Sequence, residues 1–284
     1  MILMSEKTTS ILAPAKINLS LRVLGKRADG FHEIDTLMTR VDGLCDTLIF
    51  TEAKKFSFVC EAPGVPTDAS NLVVKAVSAF EKATKKKCKL AIELQKNIPH
   101  GAGLGGGSSD AAATLKALNE WHDAPLSEEQ LLQIGSSLGS DIPFFFGPGT
   151  ARCTGRGEIL TPVANLPKMH VVILKPSFSV STPDAYGRWK TSIELPGISY
   201  DAQNFPWGPL VNDLEKPVFG KFIFLAELKH WLRSRPEVSG ALMTGSGSAM
   251  IALVADTAAA ELVIQQVHER LDPVIWAWSG EIGV

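Results

Sequence analysis

The sequence predicts a mixed α/β protein of the α+β class, divided into two domains. Three observations predict it. The chain has 284 residues, where one ordinary domain takes roughly 150. Short apolar runs that alternate with polar residues recur among helical stripes, so strands and helices share the chain. The second half alternates strand and helix on its own. That places a soft boundary near residue 159 and gives domains of 1–159 and 160–284.

The elements follow in order. Residues 46–51 and 56–60 read as strands. Asp68–Asn71 precedes a helical stripe of Val73, Val77 and Phe80, and the Lys85–Lys87 run reads as the solvated end of that helix, where cations complement its dipole. Leu90, Ile92 and Leu94 alternate, which predicts a strand at 89–95. Ser127 and Gln130 form a capping box ahead of Leu131, Leu132, Ile134 and Leu138, so a helix starts there. MHVVILK (169–175) reads as a buried strand, and residues 181–216 read as irregular. Phe224, Leu225, Leu228, Trp231 and Leu232 make an amphipathic stripe. A strand at 250–255, a helix capped by Asp256 and a strand at 274–278 close the chain.

Composition narrows the class of protein. Apolar residues at 45% and charged residues at 20% suffice for a core that needs no metal or disulfide staple. They exclude a disordered chain, a collagen, a coiled coil and a disulfide scaffold. Lys+Arg at 28 against Asp+Glu at 30 leaves a formal charge of -2. That balance creates no global positive field, so no nucleic-acid partner is expected. Cys45, Cys60, Cys88 and Cys153 are scattered and read as thiols of a reducing compartment. The N-terminal MILMSEKTTS has no long apolar core and no arginine, and it carries Glu6; it reads as neither a signal nor a transit peptide. No run approaches the ~18 apolar residues of a membrane span. The expectation is a soluble, cytoplasmic protein.

Four segments carry chemistry. Pro99-His-Gly-Ala-Gly-Leu-Gly-Gly-Gly-Ser-Ser-Asp110 puts five glycines into the seven residues Gly101–Gly107, immediately before an Ala-rich helix. Glycine lets backbone N–H groups approach a ligand, and a helix N-terminus favours an anion. Ser108 and Ser109 add hydroxyls, as phosphate donors or as a metal ligand. This is a phosphate cradle. It is not a Walker A loop, and its GxGxxG spacing lacks the strand and acid that a dinucleotide site needs. The second segment, Ala13–Arg22, carries Lys16 and Asn18 two apart in a strand-like run, so both face one side. It lines a polar cleft or a solvated edge. The third, Gly139-Ser-Asp-Ile-Pro143, sets Asp141 at a helix exit beside three phenylalanines, where it is either capped or paired with a cation. The fourth, Thr244-Gly-Ser-Gly-Ser248, is a second glycine-and-hydroxyl turn that can close over phosphates.

Together and in order, Pro14–Leu19 (PAKINL), the Pro99–Ser109 loop and the Gly245–Ser248 turn resemble the GHMP kinase superfamily. Longer strings sharpen the likeness: APAKINLSL (13–21), RADGFHEIDTLM (27–38), GLGGGSSDAAA (103–113), GSDIPFFF (139–146), VSTPDAY (180–186) and NDLE (212–215). The resemblance covers most of the chain. It implies two α/β domains with the active site in the cleft between them, ATP as donor, and Mg²⁺. It also implies an acceptor alcohol in which a cytidine diphosphate is joined to methylerythritol. It implies Asp141 as catalytic base and Lys16 as its paired cation. Pro99, Gly101, Gly103, Leu104, Gly105, Gly106, Gly107, Ser108 and Ser109 become the ATP loop, with Asn71 and Lys96 near the nucleotide. Asn18, Thr182 and Gly245 become substrate contacts. His32 reads the cytosine edge through its backbone, while Tyr186 and Phe31 sandwich the ring. The family usually has Tyr where this chain has Phe31, so a ring is kept and a hydroxyl is lost. No acidic Mg²⁺ ligand stands out. A monomer or weak homodimer is expected. Two other readings stay open: a kinase of homoserine, mevalonate or a sugar, and a non-catalytic nucleotide-binding regulator. The aromatic pair argues against the first, and the presence of both Lys16 and Asp141 argues against the second.

Overall fold

The computed structural model describes residues 7–283, so the first six residues, part of the segment read above as neither signal nor transit peptide, lie outside it. The chain forms two compact units that interleave along the sequence. One takes the described residues up to Ala15 with Leu44–His100 and Gly105–Pro148; the other takes Lys16–Gly43, Gly101–Leu104 and the chain from Gly149 onward. Two long strands, β1 (Thr8–Lys26) and β2 (His32–Glu52), each contribute residues to both. The first unit continues with β3 (Ser57–Val59), α1 (Leu72–Thr84), β4 (Leu90–Gln95), α2 (Gly106–Trp121), α3 (Glu128–Leu138) and a 3₁₀ turn at Pro143–Phe146. The second adds β5 (Thr150–Thr154), β6 (Ile159–Pro162), β7 (Met169–Lys175), α4 (Thr182–Arg188), β8 (Gln203–Phe205) and β9 (Gly208–Asn212). It closes with α5 (Glu215–Phe219), α6 (Ile223–Arg233), β10 (Val238–Met243), β11 (Met250–Val254), α7 (Thr257–Arg270) and β12 (Trp276–Ile282).

In the first unit, Thr47–Glu52 of β2 pairs antiparallel with β4, with Leu48 opposite Leu94 and Phe50 opposite Ile92, and β3 joins β4 in parallel. Period-two alternation turns Leu48, Phe50, Leu90, Ile92 and Leu94 into the core. Helix α1 begins where the Asn71 side chain accepts the Val73 N–H at 2.8 Å. It buries Val73, Ala76, Val77 and Phe80 and ends at Lys85 in the left-handed conformation, so the lysine run does mark its end. Helix α2 packs against α1. Its alanines, Ala111, Ala112 and Ala113 among them, are buried and admit close approach. The Ser127–Gln130 capping box opens α3 as expected.

In the second unit, β10, β11, β7 and β12 form a four-stranded antiparallel sheet in that order. All five residues of β11 are buried, which explains why the strand reads as an unbroken apolar run. Leu225, Leu228 and Leu232 of α6 and Val263 and Val267 of α7 share one core with Val172, Leu174, Ala252 and Val254 of the sheet. Asp256 caps α7 by accepting the Ala259 N–H at 2.8 Å. Elsewhere in this unit, β9 lies parallel to β1, with Leu21 aligned to Asn212. Strand β5 pairs with β2, aligning Cys153 with Thr36.

One expectation is corrected. The segment 181–216, read as irregular, holds α4, β8, β9 and the start of α5. These elements run from three to seven residues, too short to complete a recognisable helical or strand period. Helix α4 starts on a Ser181 cap with proline in its first turn.

Candidate active site

The glycine loop alternates. Gly101, Gly103 and Gly105 have φ of 63°, 78° and 70°, a region that disfavours side chains. Ala102 and Leu104 between them are buried. Each glycine therefore turns the chain while each neighbour anchors it. At Gly103 no side chain fits at all: an added Cβ would lie 2.3 Å from the Thr244 carbonyl oxygen. The loop carbonyls are engaged within the second unit. Ala102 O accepts from Ala249 N at 3.0 Å, Gly103 O from Lys16 Nζ at 3.0 Å, and Leu104 O from Lys16 N at 2.9 Å. Helix α2 then starts on Gly105 with no side-chain cap. Its first N–H groups have no partner inside the helix, and they sit at the positive end of its dipole.

Lys16 and Asn18 face the same side of β1, as their spacing predicts, and both are buried. Lys16 Nζ donates to Asn18 Oδ1 at 2.7 Å. Asn18 Nδ2 donates to Thr36 Oγ1 at 2.7 Å, and Asn18 N donates to Thr244 Oγ1 at 2.9 Å. The reading of this segment as a solvated edge is thereby overturned: an ammonium is held under the glycine loop by a buried amide and two hydroxyl-bearing neighbours.

In the first unit, Lys96 spends its charge on two buried carboxylates. Its Nζ donates to Asp110 Oδ2 at 2.9 Å and to Asp46 Oδ2. Asp46 Oδ1 also accepts the Asn97 and Ile98 N–H groups at 2.7 and 2.8 Å. Burial opposes the Lys96 charge, but Asp110 and Asp46 together outweigh it and hold its pKa above the usual lysine value. Burial pushes Asp110 up to about 7, against the pull of Lys96 and with the push of Asp46. The division follows from geometry. One cation serves two anions, and Asp46 has two backbone donors besides, so Asp110 is the less well compensated of the two. Ser109 Oγ and Asp110 Oδ1 are buried without a hydrogen-bond partner among the described residues. The Asn71 amide is occupied as the cap of α1, with Nδ2 donating to Pro66 O at 2.7 Å.

Asp141 lies in the turn between α3 and the 3₁₀ segment, in the first unit, whereas Lys16 lies in the second. On the second unit, the His32 ring sits 5.2 Å from that of Tyr186 and 6.1 Å from that of Trp189. Burial lowers the His32 pKa, and Lys26 and Lys190 lower it further. Phe31 is 49% exposed, with the Arg156 guanidinium 4.7 Å over its ring. The Thr182 hydroxyl meets Ser246 Oγ at 2.7 Å. A Cβ on Gly245 would come within 3.0 Å of Gly103 O, so the fourth segment closes directly on the first glycines of the loop.

The profile of the GHMP kinases N terminal domain matches residues 71–148, and that of the GHMP kinases C terminal domain matches residues 204–272. The chain is 41% identical to 4-diphosphocytidyl-2-C-methyl-D-erythritol kinase of Methylacidiphilum infernorum, over 95% of each chain. It is 42% identical to the enzyme of that name from Protochlamydia amoebophila, over 86% of this chain and 83% of the relative. The chain belongs to the GHMP kinase family. A crystal structure of 4-(cytidine 5'-diphospho)-2C-methyl-D-erythritol kinase superposes with a TM-score of 0.79 at 34% identity, covering 97% of this chain and all of the other. As a GHMP kinase the protein is an enzyme, a small-molecule kinase with the mixed α/β fold of its family.

Asp46, Asp110, Thr36 and Ser246 received no role of their own from sequence. Asp110 stands directly after the two loop serines, and that adjacency was the one available signal. Asp46 and Thr36 lie inside long strands, where a buried polar side chain interrupts no pattern.

Two predictions follow from the loop and the triad. Gly103→Ala sets a methyl against the Thr244 carbonyl at a positive φ, a strain of roughly 1–3 kcal/mol. It is expected to lower both the melting temperature and kinase turnover. Gly107→Ala, whose added carbon meets only Leu72 at 3.6 Å, is expected to spare stability; equal melting temperatures for the two variants would contradict the close approach. The second concerns pH. With its folded-state pKa near 7, above the ordinary 3.8, Asp110 supports the fold fully below the ordinary value and loses that contribution as pH rises through the raised one. In the protein free of nucleotide and metal, the melting temperature of Asp110→Asn relative to wild type should rise between about pH 4 and about pH 7.5 and level off above that. Parallel pH curves would show that Asp110 does not titrate there.

Proposed function

We propose that this protein transfers the γ-phosphoryl group of ATP to the 2-hydroxyl of 4-diphosphocytidyl-2-C-methyl-D-erythritol, a step of isoprenoid precursor synthesis. The single observation that carries the chemistry is the Lys16 ammonium fixed by Asn18 and the Gly103 carbonyl beneath a glycine loop. The names of the relatives support the acceptor. In this reading the loop from Pro99 to Ser109 and the N-terminus of α2 hold the phosphates. Asp141 takes the proton of the attacking hydroxyl. Lys16 offsets charge that develops in the transfer. Asn18, Thr182 and Gly245 orient the acceptor, and Tyr186 and Phe31 flank its cytosine with His32 at the edge. Remote stacking of that kind supplies binding energy that aligns the hydroxyl. Asn71 acts near the nucleotide through the start of α1. Lys96 does so through the start of α2, where a Cβ on Gly106 would meet its ammonium at 3.1 Å.

Among the described residues no group of three or more His, Cys, Asp or Glu is arranged to hold a metal. The buried, unpartnered Ser109 Oγ and Asp110 Oδ1 are hard oxygen donors. They fit a Mg²⁺ that takes its other ligands from phosphate and water. When bound, that ion neutralises phosphate charge. The reading includes a cytoplasmic setting and a monomer or weak homodimer. The charge of -2 supports the lack of a nucleic-acid partner. No helix among the described residues is long and apolar enough to cross a membrane.

A coupled ADP-release assay over a panel of alcohols tests the assignment, with the cytidine substrate expected to be preferred over homoserine, mevalonate and galactose. Asp141→Asn should keep nucleotide binding and lose ~10²–10⁴-fold in kcat; a variant within about threefold of wild type would remove Asp141 from the base role. Tyr186→Ala should raise KM for the cytidine substrate by roughly one to two powers of ten, since stacking one base is worth ~1–3 kcal/mol, with KM for ATP unchanged. A normal KM with a large fall in melting temperature would make Tyr186 a packing residue and reopen the choice of acceptor.

A further inference from the structure

Glu215 and Lys229 form an ion pair with side chains only 1% and 4% exposed, at 2.5 Å. The functional reading above leaves this pair without a task. Burying two charges gains little net stability, and apolar residues of similar volume often serve as well or better. The pair therefore asks for a second reason, and its other contact supplies one. Glu215 Oε1 accepts the Met243 N–H at 2.9 Å. The carbonyl of the same Met243 accepts from Asn212 Nδ2 at 2.6 Å, and that nitrogen also reaches Gly245 O at 2.8 Å. Asn212 Oδ1 accepts the Leu214 N–H at 2.9 Å, which fixes which way the amide points. The end of β10 is thus gripped on both sides just before the turn Thr244–Ser248.

That turn carries Thr244, whose hydroxyl accepts the Asn18 N–H at 2.9 Å, and Asn18 in turn receives Lys16 Nζ at 2.7 Å. Asn212 is also aligned with Leu21 on the neighbouring strand β1, so the grip and the Lys16–Asn18 pair share one frame. We propose that Asn212 and Glu215 are positioning residues for phosphoryl transfer, setting Thr244 against Asn18 and thereby holding the Lys16 ammonium in place, with Lys229 as the counter-charge that lets Glu215 be buried. The inference rests on the kinase reading for the role of Lys16. Lys229 balances the buried charge of Glu215, an oxygen of residue 215 sets the Met243 peptide, and the turn delivers a hydroxyl rather than a catalytic group.

Two double variants separate positioning from packing. Both remove the buried charges. Glu215→Gln with Lys229→Met keeps an oxygen acceptor for the Met243 N–H; Glu215→Leu with Lys229→Met does not. Melting temperature, kcat, both KM values and amide hydrogen exchange of residues 243–249 are measured on each. The Gln/Met protein is expected to retain wild-type kcat and exchange. The Leu/Met protein is expected to lose ~10–100-fold in kcat, the scale of a small misplacement, with KM for ATP unchanged and faster exchange in the turn. Equal kcat in the two folded proteins would overturn the proposal, whatever the exchange. Should the Leu/Met protein not fold, Thr244→Val takes its place. It removes the hydroxyl that Asn18 N uses and keeps the shape, and unchanged kcat there would overturn the proposal equally. Wild-type turnover of the cytidine substrate in the same assay tests the kinase reading itself. Exchange needs no substrate, so if that turnover is absent, equal exchange in the two doubles overturns the grip and unequal exchange upholds it.

Discussion

The Gly103 backbone and the Thr244 carbonyl lie so close that a Cβ on residue 103 would come within 2.3 Å of the oxygen. Much of the second unit's share of the site depends on that approach. With no side chain in the way, the Gly103 carbonyl reaches the Lys16 ammonium and the Thr244 hydroxyl reaches the Asn18 N–H. Ala249 and Lys16 donate their own N–H groups to the carbonyls on either side of Gly103. The contact is therefore locked from both flanks. Any atom inserted at residue 103 displaces a carbonyl, a hydroxyl and an ammonium together.

Buried charge is handled in two different ways. Lys96 faces two carboxylates, and burial together with the Asp46 charge pushes the less compensated Asp110 up to about 7. Glu215 faces one lysine and one backbone donor, and although burial pushes its pKa up, Lys229 and the Met243 N–H pull against that push. The first arrangement leaves a carboxyl oxygen of Asp110 in α2 without a hydrogen-bond partner among the described residues. The second leaves neither Glu215 oxygen unpartnered and turns a costly pair into a fixed geometric reference. Both lie outside the reach of hydropathy patterns, because a buried charge looks like a surface charge until its partners are known.

Much was legible in the chain. The strand at 90–95, the helices at 72–84, 128–138, 223–233 and 257–270, and the glycine loop opening a helix all have periodic or capping signals that local physics enforces. The shared face of Lys16 and Asn18 followed from strand period alone. The interleaving of the two units did not. The chain changes unit between Ala15 and Lys16 and again between Leu104 and Gly105, inside the two motifs that carry most of the chemistry. A composition or period break marks linkers, and neither point is a linker. The short elements between residues 182 and 219 were missed for a simpler reason. Ser181 and the proline after it cap α4, but seven helical residues present less than two full turns of pattern.

In the proposed reading, the aromatic corner of the second unit shows how burial would choose a ligand's character. Burial lowers the His32 pKa, and the charges of Lys26 and Lys190 lower it further. The imidazole is therefore shifted toward its neutral form, and it presents its ring beside Tyr186 and Trp189. A charged imidazole there would favour an anion in the ring site itself. A neutral one leaves the site to stacking, and the lysines that neutralise it place positive potential next to the rings rather than among them. Phe31, next to His32 in the chain, has no hydroxyl to satisfy, and the Arg156 guanidinium lies over its face. In the proposed reading, a flat base joined to a diphosphate would answer both features at once, the base to the rings and the diphosphate to the cations. Homoserine, mevalonate or a simple sugar has no aromatic ring to place there and would leave that surface unused.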